Sequence, residues 1–208
     1  ADDKLADAAA PLLRRDPDVV LFDQCADAET AALIAEAATE KRVFLGMRAR
    51  DSFTALAKWV KVCGDAEKAV APLQAVLCQV LLRKLCPNCK EAYQPDAKML
   101  AKANIPADKG REFYRPPSEP PTDDKGNPVT CPTCQNAGYF DRTAAFELLE
   151  MTDDLKQMVA AGASLREIKA AARKRKMLYV QEQALRKVMS GETSVQEVLR
   201  ATQTKKSS

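Results

Sequence analysis

Four cysteines, Cys86, Cys89, Cys131 and Cys134, fall into two Cys-x-x-Cys pairs, and they constrain this chain more than any other feature. Each pair carries proline directly after its first cysteine, as Cys86-Pro87-Asn88-Cys89 and Cys131-Pro132-Thr133-Cys134. Two such knuckles present two thiolates each to one tetrahedral ion, which is the ligand pattern of a structural zinc site. Two disulfides, or four unrelated core cysteines, are the alternatives. A thioredoxin-like redox motif needs a single CxxC opening a helix after a strand, without a matching second pair. Catalytic zinc sites keep an open position and usually use histidine, and this chain has none. The expected metal is therefore a structural Zn²⁺ held by Cys86, Cys89, Cys131 and Cys134.

With 208 residues, 46% of them hydrophobic, the chain has enough material for one ordinary domain or two small ones with a buried core. The remaining cysteines, Cys25, Cys63 and Cys78, stand singly in apolar or helical contexts. An odd cysteine total and no secretory signal at the start argue for a reducing, cytoplasmic setting. No apolar run reaches the length of a membrane span, so the chain is expected to be soluble by itself. The net charge of +3 is too small to imply a nucleic-acid partner. The absence of Met at position 1 suggests a processed chain or a fragment.

Residues 1–15 are Ala-rich and are expected to form a helix ending near Arg14 and Arg15. Asp16-Pro17-Asp18 breaks it before Val19-Val20-Leu21-Phe22, a short apolar, β-branched run that suits a buried strand. Asp27 is placed to cap an Ala-rich helix to about Thr39, and Arg42–Met47 forms a second buried strand. Strand, helix and strand in this order make a right-handed parallel crossover. From Ser52 to about Leu85, apolar residues recur at helical spacing, interrupted at Gly64-Asp65; the second helix then runs straight into the first knuckle. Trp59, Cys63 and Cys78 are expected in the core.

Nine of the 12 prolines lie between Pro87 and Pro132, and residues 111–130 are expected to be an irregular excursion closed by the metal. Gly138–Leu149 suggests a short β-hairpin or extended pair. Helix follows from Thr152 to about Thr202, with breaks at Gly162–Ser164 and Gly191–Ser194. Ser164-x-x-Glu167 has capping-box spacing, and Thr193 or Ser194 can cap the last helix. The basic run Arg173–Lys176 reads as a solvated face diluted by Glu167 and Glu182, and Lys205–Ser208 as a disordered tail.

In order along the chain, several motifs are similar to the C-terminal half of the type II secretion and type IV pilus assembly ATPases. These are Leu12-Leu13-Arg14-Arg15-Asp16-Pro17-Asp18, Asp27-x-Glu29-Thr30-Ala31, and Gln79-x-Leu81-x-Arg83-Lys84-Leu85-Cys86-Pro87-x-Cys89. Further on come Cys131-x-x-Cys134-x-x-x-Gly138-Tyr139-x-x-Arg142-Thr143-Ala144-x-x-Glu147-Leu148-Leu149 and Gly191-x-Thr193-Ser194-x-x-Glu197-Val198. The resemblance covers about Pro11 to Thr202. It implies an α/β fold: part of a RecA-like P-loop NTPase parallel sheet with helices, then a four-cysteine zinc module and a helical C-terminal subdomain. The corresponding domains are residues 1–85, 86–150 and 151–208. It also implies a hexameric motor, homo- or hetero-oligomeric with related ATPase subunits, that meets an inner-membrane secretion or pilus platform protein from the cytoplasmic side.

The departures bear on catalysis. The family's Gly-Glu after the first strand is Asp23-Gln24 here, and Gln cannot take a proton from the attacking water, though Asp23 could contact Mg²⁺ as a cofactor-binding residue. An acid at the end of a parallel strand is common, so Asp23 alone carries no assignment. Ala26 replaces a family Arg, Val80 replaces the Arg before the zinc motif, and Arg48 stands where the resemblance implies a phosphate-sensing His. No Gly-x-x-x-x-Gly-Lys-[Ser/Thr] occurs, so ATP and Mg²⁺ require a longer native chain. Catalytic impairment, with a role in assembly and platform contact, is the leading expectation. An active motor completed by an upstream P-loop, and an independent zinc-stapled adaptor or zinc ribbon, are the alternatives.

Overall fold

The computed structural model describes residues 5–105 and 112–202. The expectations for the first four residues, for Arg111 and for the tail after Thr202 lie outside the described residues. The chain forms α1 (Leu5–Leu13), β1 (Val19–Phe22), α2 (Ala28–Ala37), β2 (Arg42–Leu45), α3 (Ser52–Cys63), α4 (Ala66–Val70), β3 (Ala75–Leu85) and β4 (Glu91–Tyr93). It continues through α5 (Ala97–Ala103), β5 (Phe113–Arg115), β6 (Tyr139–Glu150), α6 (Asp153–Ala160), α7 (Leu165–Lys174), α8 (Val180–Met189) and α9 (Val195–Thr202). This is a mixed α/β chain packed as two units, residues 1–78 with 148–177, and residues 79–147 with 178–208.

In the first unit, β1 and β2 run parallel with Val19 opposite Arg42 and Phe22 opposite Leu45. α2 makes the crossover, and its start is set by Asp27, whose carboxylate accepts from the Thr30 N–H at 2.8 Å and satisfies an otherwise orphaned donor. Ile34 and Ala35 of α2 pack with Phe22, Trp59 and Ala69 in one apolar cluster. α3 buries Phe53, Leu56 and Trp59, three residues apart on one face, and stops at Gly64, whose left-handed φ of 72° suits glycine. The Trp59 indole N–H donates to the Ala69 carbonyl at 2.8 Å, so its polar atom is satisfied inside the core. The two strands are not buried on both faces as the sequence suggests: Leu21 is 73% exposed, Val19 54% and Phe44 53%.

The second unit is built around Leu82, Leu100, Phe113, Ala145, Ala184, Val188, Val195 and Val198. β4 and β5 pair antiparallel, with Arg115 donating to Glu91 across them at 2.7 Å. Glu147, buried at 3% exposure, accepts from the Val180 N–H at 3.0 Å and so places negative charge on the N-terminus of α8. α9 is tied to β3 by a buried carboxylate. Ser194 Oγ accepts from the Glu197 N–H at 3.1 Å and sets the start of the helix. Glu197 accepts from the Arg83 backbone N–H at 3.0 Å, from Arg83 Nε and Nη2 at 2.9 and 2.6 Å, and from Arg200 Nε and Nη2 at 2.7 and 2.5 Å. The Arg83 guanidinium lies 4.1 Å from the centre of the Tyr139 ring, whose hydroxyl sits 2.8 Å from Ser194 Oγ.

Three expectations are corrected. Residues 75–85 are a strand, not a continuation of the helix into the first knuckle: Pro72 ends α4 early, and exposure along 75–85 alternates with the period of a strand. Gly138–Leu149 is not a self-paired hairpin but part of one long strand, β6, whose partner is β3. The stretch expected to be irregular, 111–130, holds β5 and a bridge between Thr122 and Pro128 among its described residues. The helical tail has one further break, between α7 and α8, where Glu182 accepts from the Tyr179 N–H at 2.9 Å. Ser164 and Glu167 form the expected capping box, and Arg173, Lys174, Arg175 and Lys176 are exposed.

The arginines hold the Glu197 pKa down at about 2 against the burial that would raise it. Because the folded pKa lies below the unfolded one, this stabilisation is full above about pH 4.5 and is lost as pH falls toward 2. Such a shift corresponds to about 3 kcal/mol, and solvent screening at the half-exposed guanidiniums reduces it to about 1–2 kcal/mol. Glu197→Gln is expected to lower stability by that amount at pH 7, with the gap from wild type narrowing below pH 4.5, as read from paired denaturant curves.

Candidate metal centre and strand-end site

β3 leads directly into Cys86, and β6 begins shortly after Cys134, so the pairing of these two strands brings the knuckles face to face. The Cys86 N–H donates to the Gly138 carbonyl at 3.0 Å and continues that alignment. Within the second knuckle, Gln135 and Asn136 take left-handed φ values of 51° and 67°, and Asn136 Oδ1 accepts from the Cys131 N–H at 2.8 Å. Asn88 Nδ2 donates to Thr133 Oγ1 at 2.7 Å and joins the two knuckles side by side. Gly138 is also required by space, since a Cβ there would lie 2.5 Å from Pro116.

The result is a compact thiol cluster. Cys86 and Cys131 Sγ are 3.8 Å apart, Cys89 and Cys134 Sγ 3.5 Å, and all four sulfurs lie within 4.8 Å of one another. Disulfide bonds need about 2.05 Å, so these are free thiols. A tetrahedral ion with bonds of about 2.3 Å separates its sulfur ligands by about 3.8 Å, and the observed spacings fit that geometry. Cys86, Cys131 and Cys134 are buried and Cys89 is half-buried, which closes the site. Backbone N–H groups of Cys134 and Thr133 draw the Cys131 pKa down to about 7, toward the thiolate a metal requires, whereas burial pushes the Cys89 thiol up. The four cysteines can therefore hold a metal ion.

The other cysteines have no such environment. Cys63 is raised to about 11 by burial, and Cys25, whose S–H lies 3.5 Å from the Asp27 carbonyl, is raised for the same reason. Both stay protonated near neutrality and pack in the first unit's core.

Asp23 and Gln24 follow β1 directly, and Arg48 lies three residues past the end of β2. Parallel pairing brings all three to the same C-terminal edge of the sheet, the edge where open α/β sheets bind ligands. All three are exposed. The strand ends approach closely there: the Gly46 N–H donates to the Phe22 carbonyl at 2.8 Å, and a Cβ on Gly46 would lie 2.3 Å from the Asp23 carbonyl oxygen.

A family model described as "Type II/IV secretion system protein" matches residues 2–200. This chain belongs to that family. Among curated members, it is 32% identical over 200 residues to the type IV pilus assembly ATPase PilB of Thermus thermophilus, covering 95% of this chain and 21% of that protein. It is 30% identical over 192 residues to type II secretion system protein E of Pseudomonas aeruginosa, covering 92% of this chain and 36% of that protein. The chain thus spans about a fifth to a third of these family members. The pilus retraction motor PilT, crystallised with ADP, shares its fold with this chain at a TM-score of 0.61 and 16% identity, covering 98% of this chain and 45% of that one. Among the described residues, no helix of this family member is long and apolar enough to cross a membrane.

The motif residues Arg83 and Glu197 have a role that sequence reasoning did not assign, the clamp of β3 on α9, to which Arg200 contributes. Glu197 and Arg200 stand at the i, i+3 spacing of a helix pair, which is a local signal, whereas Arg83 lies 114 positions from Glu197 and gives none. Gly46→Ala is expected to lower stability by about 2 kcal/mol, because the obstructing atom is backbone and cannot rotate away; thermal unfolding followed by Trp59 fluorescence measures it.

Proposed function

We propose that this chain is the C-terminal portion of a type II secretion or type IV pilus assembly ATPase-like subunit whose own nucleotide chemistry is impaired. The carrying observation is a contrast between two sites: the second unit holds a complete four-thiol cluster, whereas the strand edge of the first unit bears Gln24 and Arg48 where the resemblance implies Glu and His. On this reading the ion is Zn²⁺ and Cys86, Cys89, Cys131 and Cys134 are its ligands. Zinc would supply no step of a reaction here, because four thiolates fill its coordination shell; its contribution is to folding.

At the strand edge, Asp23 retains a carboxylate able to touch Mg²⁺, while Gln24 can orient a water without deprotonating it. Functionally, residues 1–85 serve as an ATPase-like part, 86–150 as the zinc-held module and 151–208 as the helical end, a division by role that differs from the packing units. The exposed Val19, Leu21 and Phe44 support the reading that β1 and β2 belong to a larger sheet, since parallel sheets are ordinarily covered on both faces. The subunit then assembles with related ATPase subunits in a hexamer and meets an inner-membrane platform protein at the cytoplasmic side, reaching the membrane only through partners.

Metal analysis of the purified chain is expected to give one zinc per molecule, reduced to background by Cys131→Ser; a wild-type chain that binds no metal, or binds iron instead, would contradict the zinc assignment. The native-length protein is expected to bind a fluorescent ATP analogue with Mg²⁺ without turning ATP over, and Gln24→Glu to raise hydrolysis. Rapid hydrolysis by the unsubstituted protein would overturn impairment.

A further inference from the structure

Arg83, Arg142 and Arg200, none of them part of the thiol cluster or the strand edge, line an open cavity of about 330 Å³ in the second unit, with Leu81 as its apolar wall. Two of these arginines are held in place. Arg83 and Arg200 each give Glu197 their Nε and one Nη donor, and Arg83 is also stacked on Tyr139. A guanidinium carries five N–H donors, so each retains donors for a further partner. The side chains are 44% and 55% exposed, while the Glu197 carboxylate beneath them is fully buried. Arg142 has no carboxylate partner among the described residues, and the neighbouring Lys84–Asp141 pair neutralises itself at 3.5 Å.

Charge and geometry together select the ligand. Three guanidiniums against one carboxylate leave two positive charges unmatched in one cavity. A single carboxylate ligand would balance one of them; a phosphoryl group, near −2 at neutral pH, balances both and offers three oxygens to the planar forks. We infer that the Arg83–Arg142–Arg200 cavity is a binding site for a phosphoryl group. It shares no residue with the strand edge that carries Asp23, Gln24 and Arg48, and it does not depend on the proposed ATPase-like role. Glu197 acts as a positioning residue: it aims two arginines and lowers their combined charge so that the site is stable when empty. Arg142, exposed and without a carboxylate partner among the described residues, contributes binding without supporting the fold.

The test uses the metal-loaded 208-residue chain at low ionic strength. Inorganic phosphate is titrated calorimetrically, and phosphatidylcholine vesicles with and without phosphatidic acid are tested by co-sedimentation. Saturable one-to-one phosphate binding is expected, weakened tenfold or more by Arg142→Gln and less by Arg142→Lys, with the melting temperature unchanged in both variants. If phosphatidic-acid vesicles also capture the chain and Arg142→Gln abolishes the capture, the phosphoryl group is a lipid headgroup; if free phosphate alone binds, the ligand is soluble. Binding to neither probe, or phosphate binding that Arg142→Gln leaves unchanged, overturns the inference.

Discussion

Four sulfurs of the second unit converge within 4.8 Å, and that convergence follows from strand pairing. β3 and β6 each end or begin at a knuckle, so the ladder between them sets the separation of Cys86 from Cys131 and of Cys89 from Cys134 before any ion arrives. Four thiols this close, three of them buried, are unfavourable as thiolates without a cation, because their charges repel across a low-dielectric gap. The proposed structural zinc, worth about 10–16 kcal/mol at a site of this type, would remove that repulsion. Bound there, it would also close the 41-residue segment between Cys89 and Cys131, which carries α5 and β5 into the core through Leu100 and Phe113. Segments of that length are entropically costly to close unless their ends are fixed. Metal and core thus reinforce each other.

The buried clamp at Glu197 supplies the complementary hold. The Glu197 carboxylate accepts three hydrogen bonds from Arg83 on β3 and two from Arg200 on its own helix, and Thr193 adds a further bond to the Arg83 carbonyl at 2.7 Å. A buried ion pair is weak as a source of net stability but selective for geometry, since a shifted register would strand the carboxylate unpaired. This explains why Gly191-x-Thr193-Ser194-x-x-Glu197 forms a unit: the turn after α8 puts Glu192 carbonyl on the Leu85 N–H at 2.9 Å, Thr193 on β3 and Ser194 at the helix cap.

Much of this was legible in the sequence where local chemistry decides the outcome. Asp27 and Ser164 announce helix starts because a short side chain satisfies a backbone donor three residues on, and the paired CxxC knuckles announce a tetrahedral cluster because spacing alone limits what four thiols can do. The strand at 75–85 was not legible. Its run of Val, Leu and Cys is apolar at both helical and strand spacing, and what separates the two is a partner strand more than fifty residues later. The exposure of Val19, Leu21 and Phe44 was hidden for a similar reason: periodicity reports which faces are apolar, not which are covered. The Glu197–Arg200 pair is an ordinary i, i+3 helix pair, but its extension to Arg83 joins residues 114 positions apart by charge, for which no local pattern exists. The parallel pairing of β1 and β2 puts Asp23, Gln24 and Arg48 at one sheet edge, a placement that follows from the strand–helix–strand unit.

The central claim, that a zinc ion held by four cysteines maintains the second unit, is tested most directly by hydrogen exchange of the purified chain with and without a zinc chelator. Chelation is predicted to abolish amide protection across residues 79–147 and 178–202 while residues 18–70 keep theirs. Unchanged protection across the second unit after complete metal removal, verified by metal analysis of the same sample, would contradict the account.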